Sequence, residues 1–229
     1  IAWQATLAVK SLRRSSAASR GDALDAIRIA SREVLGEHRF AEVLAFEIAL
    51  LYYGLFSWTS RRPADHLETF TCYRRSGYGS LLVAFACLVP LEVVPVHLLV
   101  ASLWGPAAAW AVTGLGIWGL IWILGLFQAL RLRPSRLSER GLELRVGLRW
   151  QLEVPFENMA KLERLPRSNK KAERESLDIA PLHQPVFRLE LAEPAEVLGV
   201  YGQRRKARLI YFAVDEPERF ERRFGELVG

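Results

Sequence analysis

Apolar and polar positions divide this 229-residue chain into two halves with different periods. From Val93 to Leu130 there is no Asp, Glu, Lys or Arg. As one helix that stretch would reach about 57 Å at 1.5 Å per residue, against a bilayer core of about 30 Å. The run must therefore double back, and Leu103-Trp104-Gly105-Pro106 is the natural break. The pattern predicts a membrane hairpin of two helices, 79–102 and 107–130.

A third apolar segment, 41–59 (AEVLAFEIALLYYGLFSWT), is just long enough to cross. Its end carries Tyr52, Tyr53, Phe56 and Trp58, which suit a membrane interface. Ahead of it, Asp22 to Gly36 reads as an amphipathic helix. Asp22 caps it, Leu24, Ile27, Val34 and Leu35 share a stripe, and Gly36 ends it. The opening IAWQATLAV, turning basic at Lys10, Arg13 and Arg14, reads as the tail of an upstream membrane helix.

From Leu137 onward the period shortens to two. Leu142, Leu144, Val146, Leu148 and Trp150 alternate with polar residues, predicting one half-buried strand over 142–150. Residues 186–191 and 207–214 read as further strands, with a turn between Tyr201 and Ala207, and 167–176 as a charged loop. Asp215, Pro217 and Glu218 open a closing amphipathic helix with Phe220, Phe224 and Leu227 on one face. The expected organisation is α+β: a juxtamembrane segment 1–40, three membrane helices within 41–131, and a small antiparallel β domain of roughly six strands over 132–229.

The pattern Arg136-Leu-Ser-Glu-Arg-Gly-Leu-Glu-Leu-Arg-Val-Gly, followed by Val154-Pro-Phe-Glu-Asn-Met-Ala-Lys-Leu-Glu, resembles the opening of a bacterial PH-like domain. The last strand and helix, Leu209 to Val228, fit the same family. The resemblance implies a barrel-like domain closed by a helix, carried by a bacterial inner-membrane protein. It brings no catalytic residues with it.

Composition agrees with this division: 51% of residues are hydrophobic although 24% are charged. The net charge is +6, but residues 132–229 hold 19 basic against 16 acidic side chains, an ordinary mixed surface. Nucleic acid is therefore not expected as a partner. Basic residues at Arg61, Arg62, Arg74, Arg75 and Arg131 to Arg136 put that loop and the β domain on the cytoplasmic side, with the uncharged hairpin tip opposite. One conflict remains. A single crossing by 41–59 sends residues 10–40, with seven basic side chains, to the far side. Cys72 and Cys87 lie at different depths and are not expected to pair.

Three ionisable residues fall inside the apolar half: Glu47, Glu92 and His97. An ionised group at the bilayer centre costs at least about 2.5–3.5 kcal/mol, so each marks a bundle interior or a function. On a straight helix Glu92 and His97 sit about 140° apart, unless Pro90 and Pro95 rotate the helix between them. The three are either interhelical hydrogen-bonding groups or, alternatively, a metal-binding or proton-relay set in a membrane enzyme or carrier. A small-ligand cavity sensed by the tail is the third possibility. Arg204, Arg205, Lys206 and Arg208 form the most basic cluster, able to touch anionic headgroups or a partner. No catalytic motif or cofactor signature is present. The expected role is a membrane scaffold whose domain docks lipid headgroups, a protein partner or a second copy.

Overall fold

The computed structural model describes residues 23–36, 39–59, 68–74, 77–165, 175–180 and 184–228. Asp22, the opening segment, Arg61, Arg62, Arg75 and most of the 167–176 loop lie outside the described residues.

Helix α1 (Ala23–Leu35) buries Leu24 and Ile27 of its predicted stripe, half-buries Leu35 and leaves Val34 exposed, and Gly36 ends it at φ 77° with its amide donating to Arg32 C=O. Helix α2 (Arg39–Leu51) continues as a π turn over Tyr52–Phe56 and a 3-10 turn over Ser57–Thr59. Those irregular turns displace backbone carbonyls from the helical ladder. Side chains compensate: the Ser57 hydroxyl donates to Tyr53 C=O and the Trp58 indole to Gly54 C=O, both at 2.6 Å. Helices α3 (Gly77–Trp104) and α4 (Pro106–Leu132) form the hairpin, turning at Gly105 with φ 85°. All three apolar helices are long and apolar enough to cross a membrane.

The β part is a mixed sheet of strands β1 (Glu68–Phe70), β2 (Ser135–Ser138), β3 (Gly141–Val146), β4 (Trp150–Pro155), β5 (Met159–Arg164), β6 (Ser176–Asp178), β7 (Phe187–Leu198) and β8 (Arg204–Phe212). It runs β1-β2-β3-β4-β7-β8-β6, with β5 also on β7. Helix α5 (Pro217–Val228) packs Phe220 into its core.

Three expectations are corrected here. The alternation over 142–150 is two strands, because Gly147 (φ 53°) starts a turn and sends Leu148 into the helical core instead. The sheet is not wholly antiparallel, since β6 runs parallel to β8. Nor is it barrel-like. Its ends, β1 and β6, are three residues long and unpaired with each other, and β4 meets β7 only at Gln151–Leu198. Between Glu190 and Ala195 the register of β7 shifts, so its first half serves β5 and its last residue serves β4.

Strand β1 was not expected at all. It comes from the loop between α2 and α3 and adds antiparallel to β2, with Phe70 against Phe220 at 5.1 Å. Glu68 receives Arg219 and Arg223 at 2.6 Å each, and Arg219 also lies over the Phe70 ring. These guanidiniums, Arg223 first, hold the Glu68 carboxyl below its ordinary value of 4.5. A depressed carboxyl stabilises the docked strand above the unfolded value, and that contribution disappears as pH falls through the folded value. Protection of the amides of residues 68–74 against exchange should therefore fall as pH drops below the ordinary carboxyl value, and Glu68→Gln should flatten that pH response.

The flanks of α2 decide its path. At its start, Glu42 is bound by Arg28 and Arg32 of α1, and Asp25 of α1 faces Arg133 and Arg145 of the β domain. At the far flank, Glu68–Phe70 is part of the sheet. The chain thus leaves the domain side at Arg39 and is back on it by Glu68. Between those flanks Gly54 abuts Ile121, about 17 Å up α4 from Leu132, so α2 rises along the domain-proximal half of α4. Of residues 10–40, the described helix α1 lies against the domain.

Candidate functional site

Polar residues converge where α1, α2, α4 and the β domain meet, around a second apolar core of Leu24, Ile27, Phe46, Leu50, Tyr53, Ala129 and Leu148. Amphipathic α1 supplies Asp25, Arg28 and Arg32 from one side. Arg28 Nε donates to Glu42 Oε2 at 2.9 Å and Arg32 Nε to Oε1 at 2.7 Å. Asp25 stands 3.5 Å from Arg145 and 4.0 Å from Arg133. Both arginines are buried, which is tolerable only because they are paired and hydrogen-bonded. Arg133 reaches Gln151 at 3.1 Å, and Arg145 Nε reaches Glu143 at 2.7 Å.

The β domain answers with Tyr201, in the turn between β7 and β8. Its φ of 56° is a left-handed conformation that costs a non-glycine residue about 1–3 kcal/mol and persists only where the surroundings fix it. Its ring meets Phe46 at 4.7 Å, and its hydroxyl donates to Glu47 at 3.4 Å. Burial, and then the Glu47 carboxylate, raise the Tyr201 phenol above its ordinary value of 10, so it stays a proton donor. Gly202 follows at φ 70°, with Glu42 so near that a Cβ would sit 2.6 Å from Glu42 Cγ.

Beside this wedge opens a crevice of about 750 Å³ lined by Arg32, Arg39, Glu42, Tyr201 and Arg204. Glu42 is already engaged by two arginines, while Arg39 makes no ion pair among the described residues. The crevice therefore presents net positive charge. A slightly larger cavity, between β2, β3 and the end of α5, mixes several glutamates with Arg136, Arg140 and Arg223 and has no such bias.

The structure separates Glu47, Glu92 and His97. Glu47 belongs to the junction, held by Tyr201 and by the Trp122 indole at 3.3 Å. His97 Nδ1 lies 2.8 Å from Thr113 Oγ1 and its ring stands edge-on to Trp110, joining α3 to α4. Glu92 is exposed on α3. Among the described residues no three His, Cys, Asp or Glu side chains are placed to hold a metal.

The basic cluster is also partly committed. Arg204, Arg205 and Lys206 open strand β8 rather than forming the turn. Arg204 pairs with Glu196 at 3.4 Å, Arg205 lies over Trp150, and Arg208 donates to Leu191 C=O. Asp215, expected as a helix cap, accepts from the Thr71 hydroxyl and the Arg74 amide, and Glu218 from Arg164. Sequence reasoning missed Asp25, Glu42 and Tyr201. The signals were weak: an i,i+3 Asp–Arg pair on α1, and a Tyr-Gly step that read as any turn. No family model, curated protein or solved structure matches the chain.

Proposed function

We propose that this chain is a membrane-bound scaffold of the bacterial inner membrane. Its PH-like domain lies on the cytoplasmic face and is clamped against its own membrane helices. The observation that carries the reading is the junction itself. The domain is fastened to α1 by Asp25, to α2 by Tyr201, to the α2–α3 loop by β1, and to α4 with only Arg133 and Pro134 between helix and strand. A domain held at so many points does not swing on a tether; it presents fixed surfaces at the membrane plane.

The surface nearest the bilayer is the arginine crevice, with Phe40 and Val43 exposed beside Arg39. Its chemistry suits the phosphate of an anionic lipid headgroup, approached by guanidiniums and flanked by apolar side chains that enter the interface. The dispersal of Glu47, Glu92 and His97 lends no support to a metal enzyme or carrier.

The test uses the intact protein in nanodiscs of mixed phosphatidylglycerol and phosphatidylcholine, with retained lipids counted by native mass spectrometry. At about 1 kcal/mol per basic residue, Arg39→Glu with Arg204→Glu should weaken the preference for phosphatidylglycerol by about thirtyfold. Arg222→Glu, on the exposed face of α5, should leave it unchanged. Equal preference in all three proteins would overturn the headgroup assignment.

A further inference from the structure

Helix α3 turns one line of residues toward α4. Leu82 and Val100 are buried, His97 bonds Thr113, and Val93 Cγ2 lies 2.6 Å from where a Gly116 Cβ would stand. Glu92 is one residue, about 100°, away from that line. Phe85, Leu88, Glu92, Pro95 and Leu99 share its flank at helical spacing, and Phe85, Leu88 and Leu99 are 45%, 42% and 58% exposed. Helix α2 packs on α4 at Gly54 and Gly125, so nothing among the described residues covers this flank.

The flank is not built for lipid. Glu92 stands about midway along a 28-residue helix, exposed and with no hydrogen-bond partner among the described residues. Pro95, on the same flank, adds to the polarity: it has no N–H for the Leu91 carbonyl, so that carbonyl loses its helical donor. A carboxyl and a freed carbonyl at mid-depth call for a protein surface that brings hydrogen-bonding groups to that depth.

We propose that this flank is a two-fold interface with a second copy of the chain, in which the two Glu92 side chains face each other. Two copies inserted in the same direction carry Glu92 at the same depth, so symmetry delivers the partner group where it is needed. A protonated carboxyl is both donor and acceptor and therefore complements itself. The neighbouring positions are uncharged, so nothing in the stripe opposes self-association. The interface lies within the helices, apart from the arginine crevice, and stands or falls independently of headgroup binding.

The experiment is oxidative crosslinking of the full chain in membranes, with Cys72 and Cys87 replaced by alanine and single cysteines introduced. Leu88→Cys and Leu99→Cys, on the Glu92 flank, should give crosslinked dimers. Val83→Cys and Val94→Cys, comparably exposed but roughly opposite on the helix, should remain monomeric. With Leu88→Cys as reporter, Glu92→Gln should keep crosslinking within about twofold, because an amide also donates and accepts. Glu92→Lys should reduce it by about tenfold or more, because two ammonium groups would meet. The pattern of positions carries the test even if the lysine variant inserts poorly. Uniform crosslinking at all four positions, none at any, or crosslinking at Leu88→Cys to a different protein would each overturn the proposal.

Discussion

Phe220→Ala should lower the stability of the β domain by about 3–5 kcal/mol, the range for truncating a buried phenylalanine that leaves a cavity. Phe220 is fully buried at the meeting point of three parts of the chain. Its ring touches Phe70 from β1 and Phe187 from β7 at 5.1 Å each, and Phe212 from β8 at 5.6 Å. It is also the main anchor of α5, whose other contacts include Phe224 on Phe156, Arg219 over the Phe70 ring and surface ion pairs. Such exposed pairs contribute little individually, so they will not hold the helix once the ring is gone. Thermal unfolding in detergent reads the loss. Amide exchange should rise together in 217–228 and 68–74, because Phe70 rests on the same ring. A loss below about 1 kcal/mol would mean that α5 is not the lid of this core.

Gly125→Leu should detach α2 from α4. A Cβ at position 125 would stand 2.4 Å from the Leu50 carbonyl oxygen, and one at Gly54 would stand 2.6 Å from that of Ile121. These are backbone atoms and cannot rotate away. Helix α2 is held at its start by Glu42 and Tyr201, so it cannot slide either. Overpacking of this kind costs about 1–3 kcal/mol, and here it acts on one helix–helix contact rather than on a deformable core. Faster amide exchange over 39–59 is the expected reading, with the β domain unaffected. Gly114→Leu is the matched control, because a Cβ there meets nothing within 4 Å. Equal effects from both substitutions would show that the α2–α4 contact is not set by glycine.

What the sequence made legible followed from strong periodic signals. The uncharged run with its Gly-Pro break fixed the hairpin, since no other path fits that length into a bilayer. Gly36 and the Phe220 stripe likewise ended and oriented their helices as expected. The failures came where tertiary contacts decide. Apolar alternation ran unbroken through Gly147 because Leu148 is apolar for a different core, that of α1 and α2. Strand β1 has only three residues and depends on its partner, so composition offered nothing to detect. Close helix approach occurs at Gly54, Gly116 and Gly125 and not at Gly114 or Gly119, because which glycine faces a neighbour depends on helix rotation. Among the site residues, the unusual depth of Glu47, Glu92 and His97 was readable. Their separation was not, since it depends on which helix each one faces.

The proposed scaffold predicts a definite sidedness: α1, the start of β1 and the β domain on one face of the membrane, and the α3–α4 tip on the other. Single cysteines at Glu33 in α1, Arg140 in the β2–β3 turn and Leu103 at the tip, each in a cysteine-free background, can be probed with a membrane-impermeant maleimide in vesicles of known orientation. Positions 33 and 140 should label together from one side, and position 103 only from the other. If position 33 labels with 103 instead, α2 crosses the bilayer and the junction described here does not exist.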